Sequence, residues 1–481
     1  MDNLKSKAVK GVAWSATDNV LKYVVNFVIT IILARLLSPE DYGLIGLISI
    51  FSSICTALIE GGFSSALIRK KDATEDDFNT VFIVNLGMSS LLYGVMFLSA
   101  PIIADFFNRQ ELIALTRVST LSLIIGALAM TQNVRLTKRL DFKSQTKITF
   151  IASICGGGIG IAMALAGFGV WAIVGQYLSL QIVKTVLLWF VNKWIPRFTF
   201  SVTSFKELFG FGWKLLVSTL IDTGWKEVYQ VVIGKCYTPA TLGYFTRAKS
   251  FAELFSSNLT GVVSRVSYPT LSQIQDDKVR LKSAYKQVIK TTMFVTFIFM
   301  LGLAAIAKPL ILVVIGEKWL PSVPMLQIIC FQMMLYPLNA INLNMLQVQG
   351  RSDLFLKLEI IKKIILIGPI LLGVFVGIYW MLIGSVITGF ISYFLNSYYS
   401  GRFLCYSIKE QVKDILPSFC LSLAVSAVIF LFSMLSINSW VILSLQLVCG
   451  ALLIITLSKL FKIREYFAIV DIIHSFIKRN K

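Results

Sequence analysis

Asp18, Lys22 and Asn26 recur at i, i+4 and i+8 inside an otherwise apolar stretch, so all three share one face of a helix. A second stretch carries Asp222, Lys226, Glu227 and Gln230, again with an acid and a base four residues apart. An ionised side chain at the centre of a bilayer costs roughly 2.5–3.5 kcal/mol on insertion scales, so it needs a partner or a wet cavity. Two equivalent pairs argue for a polar cavity shared by the helices that carry them. The alternative is a set of self-neutralising bridges that fix packing. Lys22, Lys226, Arg117 and Arg247 would attract a phosphate or pyrophosphate, where ionic hydrogen bonds are strongest. Asn26, Gln230 and Asn258 would add neutral contacts to the same ligand. Asp18, Asp222, Glu227 and Glu253 are candidates to bind H⁺ or Na⁺, because burial raises a carboxyl's proton affinity. Arg247 and Lys249 could equally snorkel to an interface. Asn339, Asn342, Asn344 and Gln347 suit sugar hydroxyls or helix–helix hydrogen bonds.

Other chemistry is poorly supplied. The single histidine, His474, lies in the tail, and the sequence contains no metal-spaced cluster, nucleophile elbow or phosphate-binding glycine loop. The seven cysteines are odd in number and lack a CxxC, which excludes a disulfide framework. The run GGGIGIAMALAGFG (156–169) is glycine-rich but apolar, and reads as close helix packing. An enzyme is not expected, nor a cofactor beyond an H⁺ or Na⁺ gradient.

The elements that must hold these residues follow from hydropathy. The 481 residues are 56% hydrophobic and 15% charged, with a mean hydropathy of +0.77. Soluble domains carry roughly 25% charged residues. Apolar runs of about twenty residues match a hydrocarbon core of about 30 Å. Backbone groups in lipid must be satisfied within the segment, so the runs read as helices. Fourteen spans are expected: 12–36, 43–60, 78–104, 111–133, 146–168, 170–191, 210–233, 244–266, 286–307, 322–346, 358–377, 379–400, 414–436 and 440–459.

The net charge of +20 could suggest nucleic acid, but the cations sit on alternate loops, which is a topology signal. With the N-terminus inside, 34 of the 45 Lys and Arg fall on the cytoplasmic side and 5 on the outer loops and helix ends. Both termini are therefore expected in the cytoplasm. The tail from Leu460 mixes Phe461, Ile463 and Phe467 with basic residues and resembles an interfacial amphipathic helix.

An internal repeat organises the spans. ARLLSPEDYG (34–43) and GKCYTPATLG (234–243) share a basic residue, Ser or Thr, Pro and Gly at one spacing. Without a gap, Phe51 then matches Phe251, Gly61 matches Gly261, Ser64 matches Ser264, and Asp76-Asp77 match Asp276-Asp277. Spans one to six thus map onto seven to twelve in the same orientation, a parallel repeat. The expected organisation is a six-helix bundle at 1–192, a cytoplasmic linker at 193–209, a second bundle at 210–400, two extra helices at 401–459 and a basic tail at 460–481.

ILARLLSPEDYGLIGLISIF (32–51) and GGFSSALIRKKDATEDDFNTVF (61–82), with NVRLTKRLDFKSQTKI (133–148), resemble the Wzx-type oligosaccharide flippases. These form the polysaccharide-transport branch of the multidrug/oligosaccharidyl-lipid/polysaccharide exporter superfamily, and the likeness is to its colanic-acid and teichuronic-acid exporters. The resemblance implies an all-α polytopic fold of two pseudo-symmetric six-helix bundles plus two C-terminal helices. It implies alternating-access movement of undecaprenyl-pyrophosphate-linked oligosaccharide from inner to outer leaflet, driven by an ion gradient. Its implied partners are that anionic lipid-linked glycan, membrane lipids and glycan polymerase or export proteins. The motifs themselves read as structural loops, so no ligand role is carried over from them. A drug/cation antiporter of the same superfamily would want an acidic cavity, which the lysines and arginines oppose. A membrane glycan polymerase or ligase would present a sizeable catalytic outer loop, and the outer connections are short.

Overall fold

The computed structural model describes residues 25–60, 62–70 and 72–479; Asp18 and Lys22 lie outside them. Among the described residues every regular element is a helix. Contacts divide the chain into two units, Met1–Gly243 and Tyr244–Lys481.

The first unit holds α1 (Val25–Leu36), α2 (Pro39–Glu60), α3 (Phe63–Arg69), α4 (Glu75–Phe107), α5 (Glu111–Ser119), α6 (Leu121–Lys138), α7 (Phe142–Leu165), α8 (Trp171–Asn192) and α9 (Val202–Cys236). Helix α10 (Pro239–Ser272) starts there and continues into the second unit. The second unit adds α11 (Lys278–Val314), α12 (Ser322–Met333), α13 (Tyr336–Val348), α14 (Ser352–Ile365), α15 (Ile367–Phe375), α16 (Ile378–Leu404), α17 (Ile408–Leu431), α18 (Ser439–Leu460) and α19 (Arg464–Arg479).

Ten helical segments among the described residues are long and apolar enough to cross a membrane. The other four expected spans fall on α1, α9, α10 and the α14–α15 pair. Helices α9 and α10 have ample length, at 35 and 34 residues, but carry charges in mid-course. The protein is an all-α polytopic membrane protein. Three expected single spans are broken: at Thr120 between α5 and α6, at Met334–Leu335 between α12 and α13, and at Leu366 between α14 and α15. Pro337 and Pro369 sit just beyond the last two breaks, where a missing N–H and the ring's clash with the preceding turn oppose a continuous helix.

The two matching motifs start their helices in the same way. Helices α2 and α10 both begin on proline, the residue whose fixed φ and absent donor suit a first helical position. Ser38 Oγ accepts from the Asp41 N–H at 3.2 Å, and Thr238 Oγ1 accepts from the Thr241 N–H at 3.3 Å. The two starts press together through glycine. A Cβ on Gly43 would land on the Pro239 carbonyl, and one on Gly243 would land on the Pro39 carbonyl.

The glycine run of α7 packs as expected. A Cβ on Gly156 would sit 2.9 Å from the Gln176 carbonyl of α8, and one on Gly160 would sit 2.7 Å from the Gln176 side chain. That close approach joins α7 and α8 along their length.

Candidate functional site

The charged candidates collect on two helices. On α9, Asp222 and Lys226 are exposed and one turn apart, Glu227 is half-buried and Gln230 is buried. Gln230 Nε2 donates to Glu227 Oε2, so those two already form one unit. The Tyr229 hydroxyl beside them is buried without a hydrogen-bond partner. On α10, Lys249 and Glu253 form an i, i+4 ion pair at 3.8 Å. Arg247 is half-buried, and Asn258 Nδ2 donates to the Leu254 carbonyl at 2.8 Å. Asn258 also lines an apolar cavity of about 270 Å³ with Leu254, Phe255, Thr296 and Phe299.

The structure separates Arg117 from these groups in kind. Its Nε donates to the Phe97 carbonyl of α4 at 3.3 Å, and its guanidinium lies 4.2 Å from the Phe97 ring centroid. Asn26 is exposed on α1. The asparagines of α13 are used between helices. Asn342 Oδ1 accepts from Tyr285 of α11 at 2.8 Å and from Ser400 of α16 at 2.5 Å. Asn339 Oδ1 accepts from Asn396 at 3.0 Å, and Asn344 Nδ2 donates to Ser264 at 3.0 Å.

A larger polar assembly was not anticipated. Arg135, one of the cations counted on the cytoplasmic side, is only 9% exposed. Its Nη1 donates to both Glu75 oxygens at 3.0 and 2.9 Å, and its guanidinium lies 4.7 Å from the Phe78 ring and 4.9 Å from the Trp194 ring. Trp194 Nε1 donates to Glu75 at 2.7 Å. Lys138 donates to the carbonyls of Leu67 and Lys70. Lys70 pairs with Asp77 at 3.0 Å and with Glu207 of α9 at 2.9 Å, and its hydrogen bond to Glu207 raises its proton affinity above that of an ordinary lysine. Asp77 closes the start of α4: its carboxylate accepts from the Thr74 N–H at 2.8 Å while Thr74 Oγ1 accepts from the Asp77 N–H at 3.3 Å. These residues tie α3, α4, α6 and α9 at one end of the unit. The available signal was the density of charge in RKKDATEDDF and NVRLTKR beside apolar helix ends.

The second unit has a counterpart. Lys286 pairs with Asp414 at 2.8 Å and Glu410 at 3.4 Å, Lys282 pairs with Glu410 at 3.2 Å, and Lys290 pairs with Glu465 at 2.9 Å. Burial, then the hydrogen bond to Asp414, pushes the Tyr406 hydroxyl far above an ordinary phenol. Among the described residues no group of three or more His, Cys, Asp or Glu is placed to hold a metal.

Comparison with known proteins fits this architecture. The chain is 26% identical over 359 residues to the teichuronic acid biosynthesis protein TuaB of Bacillus subtilis, covering 74% of each chain. It is 23% identical to the lipopolysaccharide biosynthesis protein WzxC of Escherichia coli, covering 77% of this chain and 76% of that one. Among solved structures, the lipid II flippase MurJ in an inward closed conformation superposes with a TM-score of 0.75 at 18% identity, covering 94% of this chain and 98% of that one. An inward-facing MATE-family multidrug transporter gives 0.63 at 17% identity, covering 80% and 94%. The fold is thus shared with MurJ and with the MATE-family transporter. The family described as polysaccharide biosynthesis protein matches residues 32–324. With well over half its length inside that match, the chain belongs to the polysaccharide biosynthesis protein family.

Proposed function

We propose that this protein is a flippase that carries an anionic, lipid-linked oligosaccharide, of the undecaprenyl-pyrophosphate class, from the inner to the outer leaflet of a bacterial cytoplasmic membrane. The observation that carries the reading is the charge on α9 and α10. Two helices of membrane-crossing length hold Asp222, Lys226, Glu227, Lys249 and Glu253 within their course, with Arg247 nearer the start of α10. Such residues mark ion or substrate pathways when lipid surrounds the bundle. Lys22, Lys226 and Arg247 are the candidates to bind the pyrophosphate. Asp18, Asp222, Glu227 and Glu253 are the candidates for coupling to H⁺ or Na⁺.

The relatives support transport rather than catalysis: ExoT of Rhizobium meliloti is a succinoglycan biosynthesis transport protein, and MurJ is a lipid II flippase. Our proposal retains alternating access, both termini in the cytoplasm, and the six-plus-six-plus-two arrangement with boundaries at 192, 209, 400 and 459. Partner polymerase or export proteins belong to the same proposal. A drug antiporter reading rests on the MATE-like fold and is opposed by the cations on both helices.

The test is a leaflet-sidedness assay of the lipid-linked glycan in a strain lacking this protein, complemented by wild type, Lys22→Ala or Lys226→Ala. Outer-leaflet delivery should vanish without the protein and fall about tenfold in each variant at unchanged membrane abundance, the loss of one charge-assisted hydrogen bond. Delivery that persists in the deletion strain would refute transport, and full delivery by both variants would refute the anion site.

A further inference from the structure

The segment between α8 and α9 is built like a ledge rather than a tether. Helix α8 stops in a left-handed turn at Lys193, with φ 50°, and the chain then runs without regular secondary structure to the α9 N-cap at Ser201. Trp194 and Pro196 are buried, while Lys193, Ile195 and Arg197 face out.

The inner face is pinned by hydrogen bonds to the ends of α4 and α6. Gln132 Nε2 donates to the Trp194 carbonyl at 3.0 Å. Asn79 Oδ1 accepts from the Arg197 N–H at 2.9 Å, and Thr80 Oγ1 accepts from the Ser201 N–H at 3.0 Å. Asn79 and Gln132 are both buried, at 2% and 0% exposure. The segment is therefore held in one conformation.

Its outer face is apolar and basic. Ile195 is 78% exposed, Phe198 79% and Phe200 50%, interleaved with the exposed cations Lys193 and Arg197 and followed by Lys206. The acids nearby are occupied: Glu207 pairs with Lys70, and Asp76 lies beside Thr199. Phe200 also packs on Phe205, with ring centroids 5.8 Å apart, whereas Ile195 and Phe198 are largely exposed, and such apolar patches mark contact surfaces. The level is set by α8, a membrane-crossing helix that ends at Asn192, and by the first turns of α4, another. Crossing by α8 and α4 would put the patch at the boundary between hydrocarbon and water, where aromatic side chains and cations are favoured together.

We propose that residues 193–206 form a membrane-surface anchor. Ile195, Phe198 and Phe200 enter the headgroup–acyl boundary, and Lys193, Arg197 and Lys206 bind the phosphates of anionic phospholipids. This goes beyond the transport reading and stands whether or not the protein moves a glycan.

The test uses the full-length protein in vesicles of phosphatidylglycerol and phosphatidylcholine. Ile195→Cys and Phe198→Cys, made in a background whose native cysteines are replaced by serine, each carry a nitroxide. Both labels should be several-fold more accessible to oxygen than to a water-soluble nickel chelate. In a parallel measurement, the Lys193→Gln/Arg197→Gln/Lys206→Gln triple variant should retain about fivefold less phosphatidylglycerol through purification, with phosphatidylcholine unchanged. Labels that favour the nickel chelate would place the segment in water and overturn the proposal. Labels shielded from both reagents would show a protein-covered surface and overturn it too. Undiminished phosphatidylglycerol in the triple variant would overturn the headgroup contact. A glycan-export defect alone bears on the transport reading and leaves this one untouched.

Discussion

Arg135 shows how much one side chain can organise. It holds Glu75 with a forked pair of hydrogen bonds and stacks against Phe78 and Trp194, all at an end of the first unit where four helices meet. Both hydrogen bonds leave from Nη1, so a lysine nitrogen could reach the carboxylate, but it cannot reproduce the guanidinium's stacking on the two rings. Arg135→Ala should therefore destabilise the protein by about 2 kcal/mol, the scale of a hydrogen bond to a charged group, and Arg135→Lys by about 1 kcal/mol, the scale of the ring contacts alone. The figure stays below that of a fully buried pair because the Glu75 side chain is 62% exposed. Thermal unfolding in detergent, with Glu75→Gln and the double variant completing a cycle, checks this. A Lys variant with wild-type stability would show that charge alone suffices.

The residue scale also marks where sequence reading ran out. Charge asymmetry assigned Arg135 and Lys138 to a side of the membrane but not to a buried network, because their partners lie 60 to 71 residues away. The same distance hid Glu207 from Lys70. Asn339, Asn342 and Asn344 were legible as polar groups with two uses, and contacts between helices turned out to be filled by all three.

At the scale of elements, helix positions were readable because lipid fixes both length and composition, and the glycine run of α7 was readable because nothing but close packing explains it in an apolar span. Breaks within spans were not, although Pro337 and Pro369 carried the signal. The sharpest element-level feature is the reciprocal approach of α2 and α10 at Gly43 and Gly243. A methyl group at either position would meet backbone carbonyl atoms of Pro239 or Pro39, which have no rotamer with which to yield. Gly43→Ala and Gly243→Ala should each cost about 1–3 kcal/mol, the range for overpacking a fitted contact. Gly87→Ala and Gly158→Ala, helical positions where a Cβ meets nothing within 4 Å, should be neutral or stabilising by up to about 1 kcal/mol. Melting temperatures of the four purified variants provide the comparison. Equal behaviour across the set would deny the crossing its role.

For the whole molecule, the question is which side each helix end faces. The proposed topology places the α9–α10 connection outside and the α16–α17 connection inside, because cations crowd the second and not the first. The chain carries its own reporters. Cys236 closes α9 and Cys405 follows α16, and both are exposed free thiols. A membrane-impermeant maleimide added to intact spheroplasts should modify Cys236 and spare Cys405 until the membrane is opened. Exposed Cys155 and Cys420 lie in the middle of α7 and α17, where surrounding lipid should keep them slow in both conditions. Peptide mass spectrometry separates the four sites without any substitution, so no variant's folding enters the result. Protection of Cys236 with labelling of Cys405 would invert the topology. The cations on α16–α17 would then face outward, against the bias that orients multi-span chains, and the direction assigned to glycan movement would have to reverse with it.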